Sequence, residues 1–69
     1  MTAIAITLNG DRTEVERGLS VIALLERLRV EPRRVVVEHN RRVLRDGELA
    51  ATTVDEGDEL ELVQFVGGG

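Results

Sequence analysis

Apolar and polar positions alternate from the start of the chain. Ile4, Ile6 and Leu8 interleave with Ala3, Ala5 and Thr7, and a period of two predicts a strand with one apolar face. Asn9-Gly10 follows, a pair suited to a tight hairpin turn because both central positions of such a turn need positive φ. A second strand is therefore predicted over Arg12 to Glu16, with Val15 on the core side, and Arg17-Gly18 breaks it. The period then changes. Val21, Leu24, Leu25 and Leu28 fall at i, i+3, i+4 and i+7, the stripe of an amphipathic helix. Ser20 is placed to cap its first turn, and Leu19 stands at the spacing of a hydrophobic staple onto Leu24. The helix is expected to end near Arg29, because Pro32 biases Glu31 away from helical geometry.

Val35-Val36-Val37 opens a third strand that runs to about His39. Asn40-Arg41-Arg42 reads as a turn and Val43-Leu44 as a short fourth strand. Asp46-Gly47 breaks the chain again, Glu48 to Thr53 fits one loose helical turn, and Asp55-Glu56-Gly57-Asp58 is a tight turn into a last strand, Glu59 to Phe65. The order β-β-α-β-β-β implies an α+β fold: a mixed sheet of four to five strands with one main helix packed on one face. Residues 1–66 form a single domain in this reading, and Gly67, Gly68 and Gly69 form a flexible tail, since glycine packs nothing and loses the most backbone freedom on ordering.

The last strand has two unlike faces. Leu60 and Leu62 point one way; Glu59, Glu61, Val63 and Phe65 point the other. The acids mark the second face as solvent-facing, which leaves Val63 and Phe65 exposed beside the tail. These two, with Val66, Glu59 and Glu61, are the candidate partner-binding residues. At the tail itself, a terminal carboxylate on Gly69, carried by residues without side chains, is expected to reach a slot too narrow for any other residue and to be the working group.

Composition narrows the chemistry. The 69 residues contain no Cys, so disulfides, thiolate metal sites and a cysteine nucleophile are excluded. Any sulphur chemistry must use sulphur from elsewhere. His39 is the only histidine; no Ser-His-Asp set assembles around it, and it is expected to be a sheet or surface residue. No metal-ligand spacing occurs, and the three terminal glycines precede no helix that could cradle a phosphate. All nine basic residues are Arg. Residues 1–47 hold them with seven acids, a net of +2, whereas residues 48–69 hold six acids and no base, giving the overall −4. Arg33, Arg34, Arg41, Arg42 and Arg45 cluster without an interleaved aromatic to stack on bases, so nucleic acid is not an expected partner. The acidic end is expected to steer toward a basic partner surface. No apolar run is long enough to span a membrane and no signal peptide is read at the start, so a cytoplasmic location is expected.

These features resemble a known family. The element order with Asn9-Gly10, Leu24-Leu25, Val37-Glu38-x-Asn40 and Gly57-Asp58-x-Leu60-Glu61-Leu62, ending in Phe65-Val66-Gly67-Gly68-Gly69, is similar to the ubiquitin-like β-grasp sulphur carriers of the ThiS family. Arg45-Asp46-Gly47 departs from it, where the family often has a proline and then an aromatic. The resemblance implies a ubiquitin-like β-grasp fold and a carrier rather than an enzyme, with no catalytic residue and no cofactor bound by this chain. It implies that an E1-like adenylating enzyme uses ATP to activate the Gly69 carboxylate. Sulphur derived from a cysteine desulfurase then gives a thiocarboxylate, and a thiazole synthase accepts the sulphur for the thiazole ring of thiamin. Sulphur supply to molybdopterin, a thionucleoside or an amino acid, and protein conjugation through Gly69, remain open alternatives.

Overall fold

The computed structural model describes residues 2–65. Strands β1 (Ala3–Leu8) and β2 (Asp11–Glu16) form an antiparallel hairpin. Its turn residues Asn9 and Gly10 have φ of 49° and 86°, the left-handed backbone that such a turn requires. Helix α1 (Val21–Arg27) and a single 3-10 turn (Pro32–Arg34) lead into β3 (Val35–His39). Strand β4 (Arg42–Val43), the short helix α2 (Asp46–Leu49) and β5 (Glu59–Gln64) complete the chain. The sheet order is β2-β1-β5-β3-β4. The last strand thus occupies the centre, parallel to β1 and antiparallel to β3. This is the mixed sheet of the expected α+β, ubiquitin-like β-grasp class, with five strands.

Local chemistry sets the helix ends. The Ser20 hydroxyl accepts the Ala23 N–H at 3.2 Å, satisfying one orphan donor of the first turn. The helix stops at Arg27, two residues before the expected end. Arg29 adopts φ of 60°, its N–H donates to the Glu26 carbonyl, and the Val30 N–H donates to the Leu25 carbonyl. That pair of bonds closes the last turn in the manner usually given to a glycine, and Pro32 acts only afterwards. Other boundaries shift as well. The turn after β3 is the two-residue Asn40-Arg41, with φ of 51° and 71°, so β4 begins at Arg42 and Leu44 lies outside it. Asp46-Gly47 starts α2 instead of breaking the chain, and the helical turn expected over 48–53 lies earlier. Here the Glu48 carboxylate accepts the Arg45 N–H at 2.8 Å and the Arg42 guanidinium at 3.1 Å; the backbone bond above all holds its carboxyl below the ordinary range. The second strand begins at Asp11 and the last ends at Gln64. The boundary expected between domain and tail, after residue 66, lies outside the described residues.

The core lies between α1 and one face of the sheet. Val21, Leu24 and Leu25 of the helix meet Ile4, Ile6, Val37 and Leu60 of the strands, with Leu44, Leu49 and Val54 closing the end. Leu19 packs against this cluster. Among the described residues no polar or charged residue is buried, so the core is held by apolar burial.

Placing β5 in the centre obliges its backbone to find partners on both sides. Two asparagines supply what the ladders do not. On the β1 side the Asn9 N–H donates to the Leu60 carbonyl at 2.8 Å, and the Asn9 side-chain oxygen accepts the Leu62 N–H at 2.7 Å. On the β3 side the Asn40 N–H donates to the Glu59 carbonyl at 2.8 Å, and its side-chain oxygen accepts the Glu59 N–H at 2.9 Å. Asp58 fixes the strand's entry. Its carboxylate accepts the Asp55 N–H at 2.8 Å and the Asn40 amide at 3.2 Å, and it meets His39 Nε2 at 2.8 Å. Partial burial pushes the Asp58 carboxyl up, but the hydrogen bonds from Asp55, His39 and Asn40 outweigh it and leave the carboxyl below its ordinary 3.8.

Two predictions follow from these locks. Asn9→Ala removes a residue suited to positive φ and the acceptor of the Leu62 N–H, so chemical denaturation is expected to show a loss of about 1–2 kcal/mol. For Asp58, a folded carboxyl below its unfolded value contributes stability that is complete above about pH 5. That contribution is lost as pH falls through the unfolded value and then the lower folded one. Denaturation midpoints measured from pH 6 down to pH 2 should therefore decline more steeply in the parent than in Asp58→Asn.

Candidate functional site

Alternation along β5 divides its side chains as the sequence indicates. Leu60 is 1% exposed and faces α1, with Leu62 half-buried on the same side. Glu59, Glu61 and Val63 stand on the face that no helix covers, where Val63 is 59% exposed, and Phe65, the residue after the strand, is 61% exposed. The neighbouring strand extends this surface. Val63 is paired with Val36 and Glu61 with Glu38, Glu38 is paired in turn with Val43 of β4, and the Phe65 N–H donates to the Arg34 carbonyl at 2.9 Å. The result is an apolar strip of Val36, Val43, Val63 and Phe65 with glutamates at its centre. Val66, Gly67, Gly68 and Gly69, which the sequence singles out, lie outside the described residues.

The electrostatics of this face are uneven. Glu59 has the Arg41 guanidinium at 3.8 Å. Glu38 and Glu61, directly opposite each other, have no ion-pair partner among the described residues. Sequence reading located Glu61 but not the rest of its surroundings. Val36, Glu38 and Val43 escape it because Val35-Val36-Val37 is apolar throughout, and periodicity cannot say which valine faces outward. The register against β5, where acids mark the outer face, is the signal that decides it.

The remaining groups are structural. His39, expected in the sheet or at the surface, is at the end of β3 and spends its Nε2 on Asp58. A shallow depression of about 390 Å³ lined by Ile22, Pro32, Arg33, Asp46 and Leu49 lies between the helices. It brings together no nucleophile and base, and it is a crease where the 3-10 turn passes α1. Among the described residues no three metal-ligating side chains converge, and no helix is long and apolar enough to cross a membrane.

Comparison with known proteins agrees with this geometry. A model described as the ThiS family matches residues 3–69. The crystal structure of the thiamine biosynthesis protein ThiS from Geobacter metallireducens is similar at a TM-score of 0.82 and 39% identity, covering 96% of this chain and 100% of that one. The solution structure of a thiamine biosynthesis protein from the same organism gives a TM-score of 0.81, also at 39% identity, over 96% of this chain and 88% of that one. Among curated proteins, a thiazole synthase of Paramagnetospirillum magneticum is 38% identical over 64 residues, and one of Magnetococcus marinus is 39% identical over 64 residues. Each match takes in 93% of this chain but only 20% of the relative, so the chain spans about a fifth of the length of those synthases. A family match over residues 3–69, and a structural match at a TM-score of 0.82 over 96% of the chain, place this chain in the ThiS family.

Proposed function

We propose that this chain is a sulphur carrier for thiazole formation in thiamin biosynthesis, working in the cytoplasm through the carboxylate of Gly69. The observation that carries the reading is the position of β5 in a member of the ThiS family. The strand is fixed on both sides at the centre of the sheet and presents Val63 outward, and the exposed Phe65 follows it just before Val66-Gly67-Gly68-Gly69.

A carboxylate is a poor electrophile, because its negative charge repels a nucleophile and oxide is a poor leaving group. Joining it to AMP, with loss of pyrophosphate from ATP, supplies a leaving group. A persulfide charged by a cysteine desulfurase then attacks the carbonyl and displaces AMP, and a thiol cleaves the resulting acyl disulfide, becoming oxidised to a disulfide as it leaves a thiocarboxylate on Gly69. A thiazole synthase takes up that sulphur. ATP belongs to the E1-like adenylating partner in this scheme, and the chain itself is a carrier, not a catalyst. Ordering three glycines in a partner's channel costs about 3–6 kcal/mol. Covering Val63 and Phe65 returns about 1.5–3 kcal/mol for each side chain fully buried. The two nearly offset, which suits a protein that must leave one enzyme for the next.

Two outcomes test the reading. Intact mass after incubation with ATP, a sulphur donor and the adenylating enzyme of the same organism should rise by one oxygen-to-sulphur exchange. Deletion of Gly69 should abolish that rise without changing the melting temperature, and a truncated chain that still gains sulphur would place the reacting group elsewhere. Separately, Phe65→Ala should change stability by no more than about 0.5 kcal/mol while weakening binding to the adenylating enzyme or the synthase. Leu60→Ala, on the buried face, should cost about 2–5 kcal/mol. Calorimetry and binding titration on the pair separate docking from folding.

A further inference from the structure

Strand register puts Glu38 and Glu61 directly opposite each other on the uncovered face of the sheet. The Asn40 N–H donates to the Glu59 carbonyl, and the Phe65 N–H donates to the Arg34 carbonyl. By alternation along the strands, the Glu38–Glu61 pair lies in the same hydrogen-bonded class, with α-carbons about 5.5 Å apart. Like charges so placed repel and weaken the sheet. The neighbouring Glu59 has its arginine in Arg41, yet neither Glu38 nor Glu61 has a basic partner within the described residues. Glu38 is moreover half-buried, flanked by Val36 along its own strand and by Val43 across β4, which reduces the screening of its charge by water. The fold thus places two glutamates opposite each other in the middle of an apolar strip, an arrangement that opposes the stability of the free domain.

We propose that Glu38 and Glu61 are the recognition pair of this face, and that their occupant is an arginine of a partner protein, inserted among apolar side chains that cover Val36, Val43, Val63 and Phe65. A guanidinium matches the pair because its planar fork of five donors can serve two carboxylates at once, whereas an ammonium acts as a point charge. Closing the apolar strip around it removes water and strengthens the attraction. The repulsion within the free chain is relieved only when the partner is bound, so the pair adds selectivity for a basic, apolar-rimmed surface. The proposal rests on the carrier reading, which makes the adenylating enzyme and the thiazole synthase the proteins to be tested.

The experiment compares the parent with the double variant Glu38→Gln/Glu61→Gln and with Glu26→Gln/Glu31→Gln. The second makes the same change of net charge at exposed acids outside this face, which also lack ion pairs among the described residues. Each is melted, then titrated into both enzymes from the same organism at two salt concentrations. The double variant on the sheet should melt about 2–5 °C higher and bind at least one enzyme about tenfold more weakly, with a flatter salt dependence. The control pair should leave that affinity unchanged. An unchanged or lowered melting temperature overturns the premise of repulsion. Unchanged affinity, in a protein whose parent still acquires sulphur, overturns the pair's role and leaves the carrier reading standing. A parent that binds neither enzyme and acquires no sulphur overturns both. If millimolar Mg²⁺ or Zn²⁺ raises the melting temperature of the parent but not of the sheet variant, the pair holds a metal ion and the guanidinium is the wrong occupant.

Discussion

The insertion of β5 between β1 and β3 is the constraint on which the rest of this domain depends. The last strand in the sequence must enter the middle of a sheet whose flanking strands come from the first 8 residues and from residues 35–39. A central strand has no solvent edge to hydrate its amides, so each unpaired group costs free energy. The parallel register with β1 covers only Thr7–Leu8 against Glu59–Leu60. Beyond it the ladder ends and the side chain of Asn9 takes over, accepting the Leu62 N–H. Asn40 performs the matching task on the other side. The same two asparagines turn their hairpins through positive φ, so the residues that reverse the chain are also the ones that hold the distant strand. Local turn formation and long-range closure are thereby coupled.

With β5 fixed, its two faces serve different ends. Leu60 is committed to the core against α1, while Val63 and Phe65 remain outside. Val63 is held in one backbone geometry by its pairing with β3, and Phe65 directly after the strand is tied by its N–H to the Arg34 carbonyl, which lowers the entropy lost when a partner covers them. The same rigidity makes the opposed Glu38 and Glu61 informative. In a mobile loop two like-charged residues would part; in a strand pair their α-carbons stay opposed and only the side chains can turn aside.

The one histidine is tied to Asp58 at the root of β5, and the shallow depression beside α1 gathers no reacting set of groups. The thiazole synthases that match over one fifth of their length are relatives in which the matched segment is a minor part of a larger chain.

Much of this was legible in the linear sequence, for a physical reason. Asn9-Gly10, the helical stripe from Val21 to Leu28 and the alternation of β5 are local patterns, and local backbone preferences determine them. The contrast of Leu60 with Phe65 also followed from period two alone, once Glu59 and Glu61 marked the polar side. The details that shifted depend on contacts distant in sequence or on competing local solutions. Arg29, not Pro32, ends α1 because an arginine takes up the left-handed turn that the sequence leads one to expect of glycine. Asn40-Arg41 makes a two-residue turn because β3 and β4 must meet in register, and Asp46-Gly47 joins a helix because Glu48 reaches back to the Arg45 N–H. Only the tertiary structure brought His39 to Asp58, Asn9 to Leu62, and Glu38 to Glu61. Those residues lie 19, 53 and 23 positions apart, and no periodicity spans such separations. Their meeting is decided by which strand takes the centre of the sheet.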